Sequence, residues 1–309
     1  MTPSARGSGI AADRLSGSGD VARALLDELV VWSQTDVSGH PPAMRSALLE
    51  RLRAAQRAQP SMALVHRAAA RALEVTDAGL RRGDGLGVLR ERLAEACVAM
   101  AADLDAARAA TARLAVQLLT ERGGWIATLS SSGVVRDAIL AAREAGRAPR
   151  VIVAESRPGL EGRRLAAALA EHDVPVWLVA DAALPLLLSH AAAVWIGADA
   201  VTEAGALNKI GSYAAALAAR EHAVPVHVLA ERAKLLPAAT PALRIGEMPP
   251  EEIWETPPAG VQPRNVYFEL VPIALLRGIV VEDAVLGPTE AAVVARDRAL
   301  PDELARATE

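Results

Sequence analysis

The spacing of apolar residues changes close to residue 120 and divides the chain into two parts. Before that point apolar side chains recur three and four positions apart, which is the spacing of an amphipathic helix. Four segments show this spacing, namely 21–33, 42–58, 61–75 and 87–119. The pattern therefore predicts a helical N-terminal domain over residues 1–119.

The second part alternates short apolar runs with alanine-rich stretches. The runs predicted as strands are 125–129, 151–154, 175–180, 193–197, 225–230 and 278–282, and the helices predicted between them include 133–147, 161–173 and 209–222. Strands that alternate with helices form parallel β-α-β units. We therefore predict an α/β fold with a doubly wound parallel sheet over residues 120–309. Residues 236–264 hold seven of the 19 prolines and are predicted to form a long loop or lid.

Composition narrows the classes of protein that fit. Apolar residues make up 52% and charged residues 23%, which is typical of a globular protein. The sequence contains neither an apolar run of membrane-spanning length nor a signal peptide, so we expect a cytoplasmic protein without a membrane partner. A single cysteine, Cys97, excludes a disulfide framework. The net charge of −4 is spread without blocks and argues against nucleic acid as a partner.

Polar segments follow several of the predicted strands. In an open parallel sheet the ligand binds beyond the carboxyl ends of the strands, so these segments are expected to share one edge. They comprise residues 128–133, 155–159, 197–199 and 231–234, and they contribute Ser130, Ser131, Ser132, Arg157, Asp199 and Lys234 as candidate site residues. We expect a small-molecule site at this edge.

Two of these candidates have more than one interpretation. Asp199 follows an apolar strand, so burial can raise its pKa and make it a general acid or base; alternatively it is a turn residue that binds nearby amides. The serines at 130–132 either donate hydrogen bonds to a phosphate or cap the helix that begins at Gly133.

The segment Asn208–Tyr213 is predicted to open a helix. Asn208 is the expected N-cap, and Lys209 with the first helical amides would form an anion site to which Lys234 adds a second charge. The other interpretation is an ordinary capped helix with a surface lysine. These are the only two lysines of the chain.

Several common site motifs are absent. No G-x-S-x-G elbow surrounds the serines, which disfavours a serine hydrolase. The six histidines form no H-E-x-x-H or comparable pattern, so no metal is predicted. G-x-G-x-x-G follows none of the strands, and we predict no cofactor.

The segment GADAVTEAGALNKIGSY at 197–213 resembles a known family. That family comprises the initiation factor 2B alpha, beta and delta subunits, methylthioribose-1-phosphate isomerase and ribose-1,5-bisphosphate isomerase. The resemblance continues in order through 58–68, 128–135, 151–166, 226–234, 265–272 and 278–290. It implies a helical domain followed by a Rossmann-like domain, usually in a homodimer through the C-terminal domains.

The resemblance also implies a reaction and its residues. The family's enzymes isomerise an aldose 1-phosphate to a ketose, with a carboxylate that handles protons on oxygen and a cysteine thiolate that moves a proton at carbon. Asp199 matches the catalytic aspartate, and Asn208, Lys209 and Lys234 match substrate-contacting positions.

This chain departs from the family pattern at three places. Ser130 aligns with the family cysteine, which leaves Glu155 as an alternative base. Leu15–Gly19 stands where the isomerases have an Arg-Gly-Ala loop, and Gln59 replaces the arginine before the family proline. Three hypotheses follow: an isomerase acting on a phosphorylated sugar, a non-catalytic sensor that binds a sugar phosphate or nucleotide, and a scaffold without a ligand.

Overall fold

The computed structural model describes residues 9, 10, 13, 16–119, 124–240 and 243–305. Its N-terminal part is helical, as predicted, with α1 (Ser18–Thr35), α2 (Pro41–Ala58), α3 (Ala63–Arg82) and α4 (Leu86–Val116). The His40 ring accepts a hydrogen bond from the amide of Ala43 and so caps α2. Gly83 ends α3 in the left-handed conformation, with φ 76°.

The second part contains the predicted parallel sheet. Its remaining elements are β1 (Trp125–Leu129), α5 (Gly133–Glu144), β2 (Arg150–Ala154), α6 (Glu161–Ala170), β3 (Val176–Val179), α7 (Leu184–Leu187), β4 (Ala191–Ile196), β5 (Ala200–Thr202), β6 (Gly205–Lys209), α8 (Ser212–Glu221), β7 (Val226–Leu229), β8 (Phe268–Pro272), β9 (Gly278–Val280), β10 (Val285–Leu286), α9 (Pro288–Arg296) and α10 (Asp302–Ala305). All six predicted strands are present.

The large sheet has a switch point in its middle. Its strand order is β10-β9-β7-β4-β1-β2-β3, and every pair is parallel except β9 with β10. The chain runs outward from β1 through β2 and β3 on one side, and outward from β4 through β7 and β9 on the other. The crevice between β1 and β4 is therefore where a doubly wound sheet receives its ligand.

A second sheet was not predicted and corrects the assignment of residues 208 and 209. Strands β5, β6 and β8 pair antiparallel, and Asn208 and Lys209 are the last two residues of β6. The prediction that Asn208 caps a helix is therefore wrong, since α8 begins at Ser212 after Gly211, whose φ is 99°. Any other residue at position 205 would place its Cβ 2.0 Å from the Val271 carbonyl oxygen. The close pairing of β6 with β8 therefore requires glycine here.

Three groups of buried apolar side chains hold these layers together. One fills the helical domain and includes Ala200 and Leu207 of the small sheet, so this sheet joins the helices to the rest of the chain. The other two lie against the large sheet, where Ile152 belongs to one and Val153 to the other. Neighbouring strand residues point to opposite faces, so the sheet is covered on both sides.

The proline-rich segment is a loop, as predicted. Within 236–240 and 243–264, it forms the short 3-10 helix Pro250–Glu252 and a bridge between Glu247 and Val266. None of the helices in the described ranges is long and apolar enough to cross a membrane. The same ranges contain no group of three or more His, Cys, Asp or Glu side chains that could hold a metal ion.

Candidate functional site

A cavity of about 240 Å³ lies at the switch point. The turns after β1 and β4 form one side of it, α1 and the end of α2 form another, and residues 247–249 of the proline-rich loop contribute a third. Seven of the eight candidate site residues line it: Ser130, Ser131, Ser132, Asp199, Asn208, Lys209 and Lys234. The fold therefore brings together side chains that are up to about a hundred positions apart in the sequence.

Asp199 is held by backbone contacts from two other elements. Its amide donates to the Leu207 carbonyl at 2.8 Å, and its own carbonyl accepts from the amide of Ala63, also at 2.8 Å. The residue is 9% exposed. Burial raises the pKa of the Asp199 carboxyl to about 6, while the charge of Lys234, a hydrogen bond from Ser18 and the charge of Lys209 act in the opposite direction. A group with this pKa can both give and accept a proton near neutral pH.

Both cavity lysines are paired with buried glutamates. Lys209 Nζ lies 2.9 Å from Glu161 Oε1, and Lys234 Nζ lies 3.0 Å from Glu231 Oε2. Lys209 also sits 4.1 Å from the centre of the Tyr267 ring. The sequence interpretation missed both glutamates and the tyrosine, although Glu231 lies in a polar strand-end segment and Tyr267 is one of only two tyrosines.

Arg108 reaches the cavity from the helical domain. Its Nε donates to Asp137 Oδ2 at 2.6 Å, and its side chain is 21% exposed. The guanidinium lies over Gly133, where a Cβ would be 2.6 Å from its carbon and 2.8 Å from each terminal nitrogen. Glycine at this position gives the cation access to the first turn of α5. Sequence reasoning missed Arg108, because nothing in the local pattern of α4 marks it.

Ser130 adopts a left-handed backbone conformation at the end of β1, with φ 63°. This conformation is uncommon for a residue with a side chain. Its amide donates to Ser156 Oγ at 2.6 Å, and the amide of Ser156 donates to Asp181 Oδ1 at 2.6 Å. Ser132 occupies the N-cap position of α5 but makes no capping hydrogen bond with its side chain. Ser132 therefore lines the cavity without capping α5 through its side chain, and its hydroxyl lies next to Gly197.

Two candidates lie elsewhere. Arg157 is exposed and does not line the cavity, and its amide donates a hydrogen bond to Asp181 Oδ2 at 2.7 Å. Glu155 is likewise outside the cavity and forms an ion pair with Arg163 at 2.6 Å. The structure therefore does not bring Glu155 together with the other candidate site residues.

The positions that depart from the family pattern also line the cavity or lie near it. Gln59 Nε2 donates to the carbonyls of Ile10 and Asp13, each at 2.8 Å, so it fixes the segment before α1. Residues 16–20 line the cavity, while Leu15 lies outside the described residues. Cys97 is buried in the helical core, and burial raises the pKa of its thiol to about 12. It supplies no thiolate to the cavity.

Relatives of this chain include enzymes and translation factors. It is 39% identical over 184 residues to a methylthioribose-1-phosphate isomerase of Oleidesulfovibrio alaskensis, covering 55% of this chain and 50% of that protein. It is 33% identical over 187 residues to a putative translation initiation factor eIF-2B subunit 2-like protein of Pyrococcus furiosus, covering 60% of this chain and 65% of that protein. A ribose 1,5-bisphosphate isomerase of Archaeoglobus fulgidus is 33% identical over 184 residues, 57% of this chain and 58% of that one.

Solved structures agree with the fold. The translation initiation factor eIF-2B of Pyrococcus horikoshii OT3 superposes with a TM-score of 0.76 at 25% identity, over 90% of this chain and 94% of that one. The sequence matches span between half and two thirds of the curated relatives. The model of the Initiation factor 2 subunit family matches residues 14–288, and the chain belongs to that family.

Proposed function

We propose that this protein isomerises a phosphorylated aldose to the corresponding ketose, with Asp199 as the acid and base. The observation that carries this proposal is the buried Asp199 carboxyl in the cavity, with its pKa raised to about 6. Relatives named as isomerases of methylthioribose 1-phosphate and ribose 1,5-bisphosphate support the substrate class.

The reaction requires three transfers. The ring oxygen of an aldose 1-phosphate gains a proton as its bond to C1 breaks, the hydrogen on C2 moves to C1, and the C2 hydroxyl loses its proton as the ketone forms. Protonated Asp199 can give the first proton, and the resulting carboxylate can accept the last one. If the C2 hydrogen moves directly as a hydride, no carbon base is needed, and the serine at position 130 is then compatible with turnover.

We place the phosphoryl group of the substrate at Arg108, not at Lys209 and Lys234, where the sequence analysis expected an anion. Arg108 is the cavity cation that reaches the first turn of α5, and Ser131 and Ser132 line the same cavity. A guanidinium and two hydroxyl donors suit the oxygens of a phosphoryl group. Lys209 and Lys234 lower the pKa of Asp199, and we assign them to the sugar and to the charge balance around this carboxyl.

The second candidate function is a sensor that binds a sugar phosphate or nucleotide without turnover. The observation that favours it is Ser130 in the position of the family thiol, in a cavity to which Cys97 cannot contribute. In either case we propose a homodimer through the C-terminal domains, for which light scattering would give twice the chain mass of 32.2 kDa.

The experiment offers purified protein ribose 1,5-bisphosphate, methylthioribose 1-phosphate and 5-deoxyribose 1-phosphate, with ketose formation followed by NMR. Binding of each compound is measured in parallel by calorimetry. We expect turnover of at least one compound, and Asp199→Asn should abolish turnover while binding remains. A compound that binds tightly and never turns over supports the sensor instead.

A further inference from the structure

A second cavity, the α3–α4 groove, opens between the helical domain and the C-terminal part of the chain. Its volume is about 400 Å³, and ten of its fourteen lining residues belong to α3 and α4. Among the residues that the structure describes, none lines both this groove and the switch-point cavity. The turn Arg232–Lys234 lies between the two, since Arg232 lines the groove and Lys234 lines the cavity. The groove has the size of a small-molecule site.

Arg67 brings a positive charge into this groove without a carboxylate to neutralise it. Its terminal nitrogens donate to three main-chain carbonyls, those of Leu235 at 2.7 Å, Ala299 at 3.4 Å and Arg298. It forms no ion pair within the described ranges. Burial and the charge of Arg298 lower the pKa of Arg67 to about 10, while the charge of Glu74 acts in the opposite direction. A buried charge that is not neutralised is costly, so a bound anion would relieve this cost.

Two further arginines line the groove without partners for their side chains. Arg298 follows α9, and its guanidinium makes neither a hydrogen bond nor an ion pair in the part of the chain that the structure describes. Arg71 lies four residues after Arg67 on α3 and is likewise unpaired there. Residues four apart lie on one face of a helix. Three guanidinium groups therefore line one groove, and no described carboxylate is bound to any of them.

The acidic residues of the groove do not pair with these three arginines. Glu282 Oε2 accepts a hydrogen bond from the amide of Arg232 at 2.9 Å, and Arg232 Nε pairs with Asp283 at 2.7 Å. Glu74 and Asp103 are exposed, and the charges of exposed groups are screened by water and salt. The unpaired charge in the groove is therefore positive.

The rest of the lining is mostly apolar. Met100, Leu104 and alanines of α3 and α4 supply it. Guanidinium groups bind phosphoryl oxygens through paired N–H donors, and an apolar wall favours a ligand with a hydrocarbon part. We propose that the α3–α4 groove is a second ligand site, which binds a small phosphate monoester with an apolar or aromatic body. Its phosphoryl group lies at Arg67 and Arg298, with Arg71 beside them. This site does not depend on what the switch-point cavity does.

The test titrates phenyl phosphate by calorimetry into the native protein and Arg298→Gln. The substitution removes one charge and keeps a polar side chain, and it spares Arg67, whose hydrogen bonds tie α3 to two other segments. We expect Arg298→Gln to weaken the binding of phenyl phosphate at least tenfold, because hydrogen bonds to charged groups are the strong ones. Inorganic phosphate should bind the native protein more weakly than phenyl phosphate does, since it has no ring to bury against the apolar wall.

The matched control is Arg296→Gln, which removes an exposed arginine of α9 that does not line the groove. It should leave the affinity for phenyl phosphate unchanged, and both variants should keep the native Tm. In crystals soaked with 4-bromophenyl phosphate, the anomalous signal of bromine should lie in the α3–α4 groove.

Three results would overturn the proposal. The first is a native protein that does not bind phenyl phosphate. The second is an affinity that falls in Arg108→Gln and stays the same in Arg298→Gln, because phenyl phosphate then binds only in the switch-point cavity. The third is an equal loss in Arg298→Gln and Arg296→Gln, which would indicate a general effect of surface charge.

Discussion

The amide of Ala63 donates a hydrogen bond to the carbonyl oxygen of Asp199, with 2.8 Å between nitrogen and oxygen. Ala63 is the first residue of α3 in the helical domain, and Asp199 follows β4 of the large sheet. The position of the proposed acid thus depends directly on the helical domain. We expect that domain to affect the chemistry as well as the fold.

Ala63→Pro tests this dependence. Proline is well tolerated at the first position of a helix, so α3 should form, but the residue has no N–H to give to Asp199. We expect a loss of roughly tenfold in kcat, since one hydrogen bond contributes about 0.5–1.5 kcal/mol. Circular dichroism should report unchanged helix content, and Ala63→Gly, which keeps the N–H, should retain full activity. Full activity in the proline variant would show that the contact is not needed.

The raised pKa of Asp199 predicts a pH-dependent cost to stability. The carboxyl has a pKa of about 6 in the folded chain and about 3.8 in the unfolded chain, so between these values the native state binds more protons than the unfolded state. Stability therefore falls as pH rises from about 4 to 6, by about 3 kcal/mol at 1.36 kcal/mol per pKa unit.

Asp199→Asn should remove that cost. We expect its free energy of unfolding, measured by urea denaturation, to exceed that of the native protein by about 3 kcal/mol at pH 8 and to converge with it near pH 4. The kcat profile of the native protein should report the same group near pH 6. A stability difference that does not change with pH would contradict the assigned pKa.

Local patterns were sufficient for six of the seven strands of the large sheet and insufficient for its edge strand β10 and for the small sheet. Each strand from β1 to β4, as well as β7 and β9, is a short apolar run that its own sequence marks. The strand β6 instead depends on pairing with β8, sixty positions later, and its register sets Lys209 opposite Phe268. A pairing so distant leaves no periodic signal around Asn208, and for this reason the local sequence wrongly predicts that a helix starts there.

The sequence also predicts only part of the candidate site, namely the residues that follow strands. The rule that ligands bind beyond strand ends is sufficient to identify Ser130, Asp199 and Lys234 from the sequence. It could not identify Glu161, because α6 is marked as a helix and nothing shows which side chain its first turn presents. Arg108 could not be predicted as a site residue because its position depends on how α4 packs on α5, which is a tertiary contact.

Arg108→Gln tests the phosphoryl side of the cavity. The substitution removes the charge but keeps a polar side chain over Gly133. We expect the affinity for methylthioribose 1-phosphate to fall by about 1.5–3 kcal/mol, the scale of a hydrogen bond to a charged group, while the affinity for methylthioribose stays the same. Arg136→Gln is the matched control, since Arg136 also pairs with Asp137 but does not line the cavity. Equal losses for both ligands would indicate a change in folding instead.

Ser130→Cys tests whether the C2 hydrogen moves as a hydride or is transferred as a proton by a base. Ser130 lines the cavity at the end of β1, and the exchange of oxygen for sulfur changes little in shape. A thiol with a pKa of about 8.5 is partly ionised at neutral pH, whereas the serine hydroxyl is not, so only the variant can supply a carbon base. If proton transfer at carbon limits the reaction, kcat should rise at least tenfold, and Ser131→Cys, at the neighbouring cavity position, should have no such effect.

Isotope labelling completes this test. With deuterium at C2 of the substrate, a direct hydride shift keeps the label at C1 of the ketose, and removal by a base loses it to water. We expect the native protein to retain the label and Ser130→Cys to lose part of it, because the introduced thiolate opens the proton-transfer route. Loss of the label by the native protein would require a base in the cavity other than Ser130. Absence of turnover in both proteins, with substrate bound, would leave the sensor as the function of this cavity.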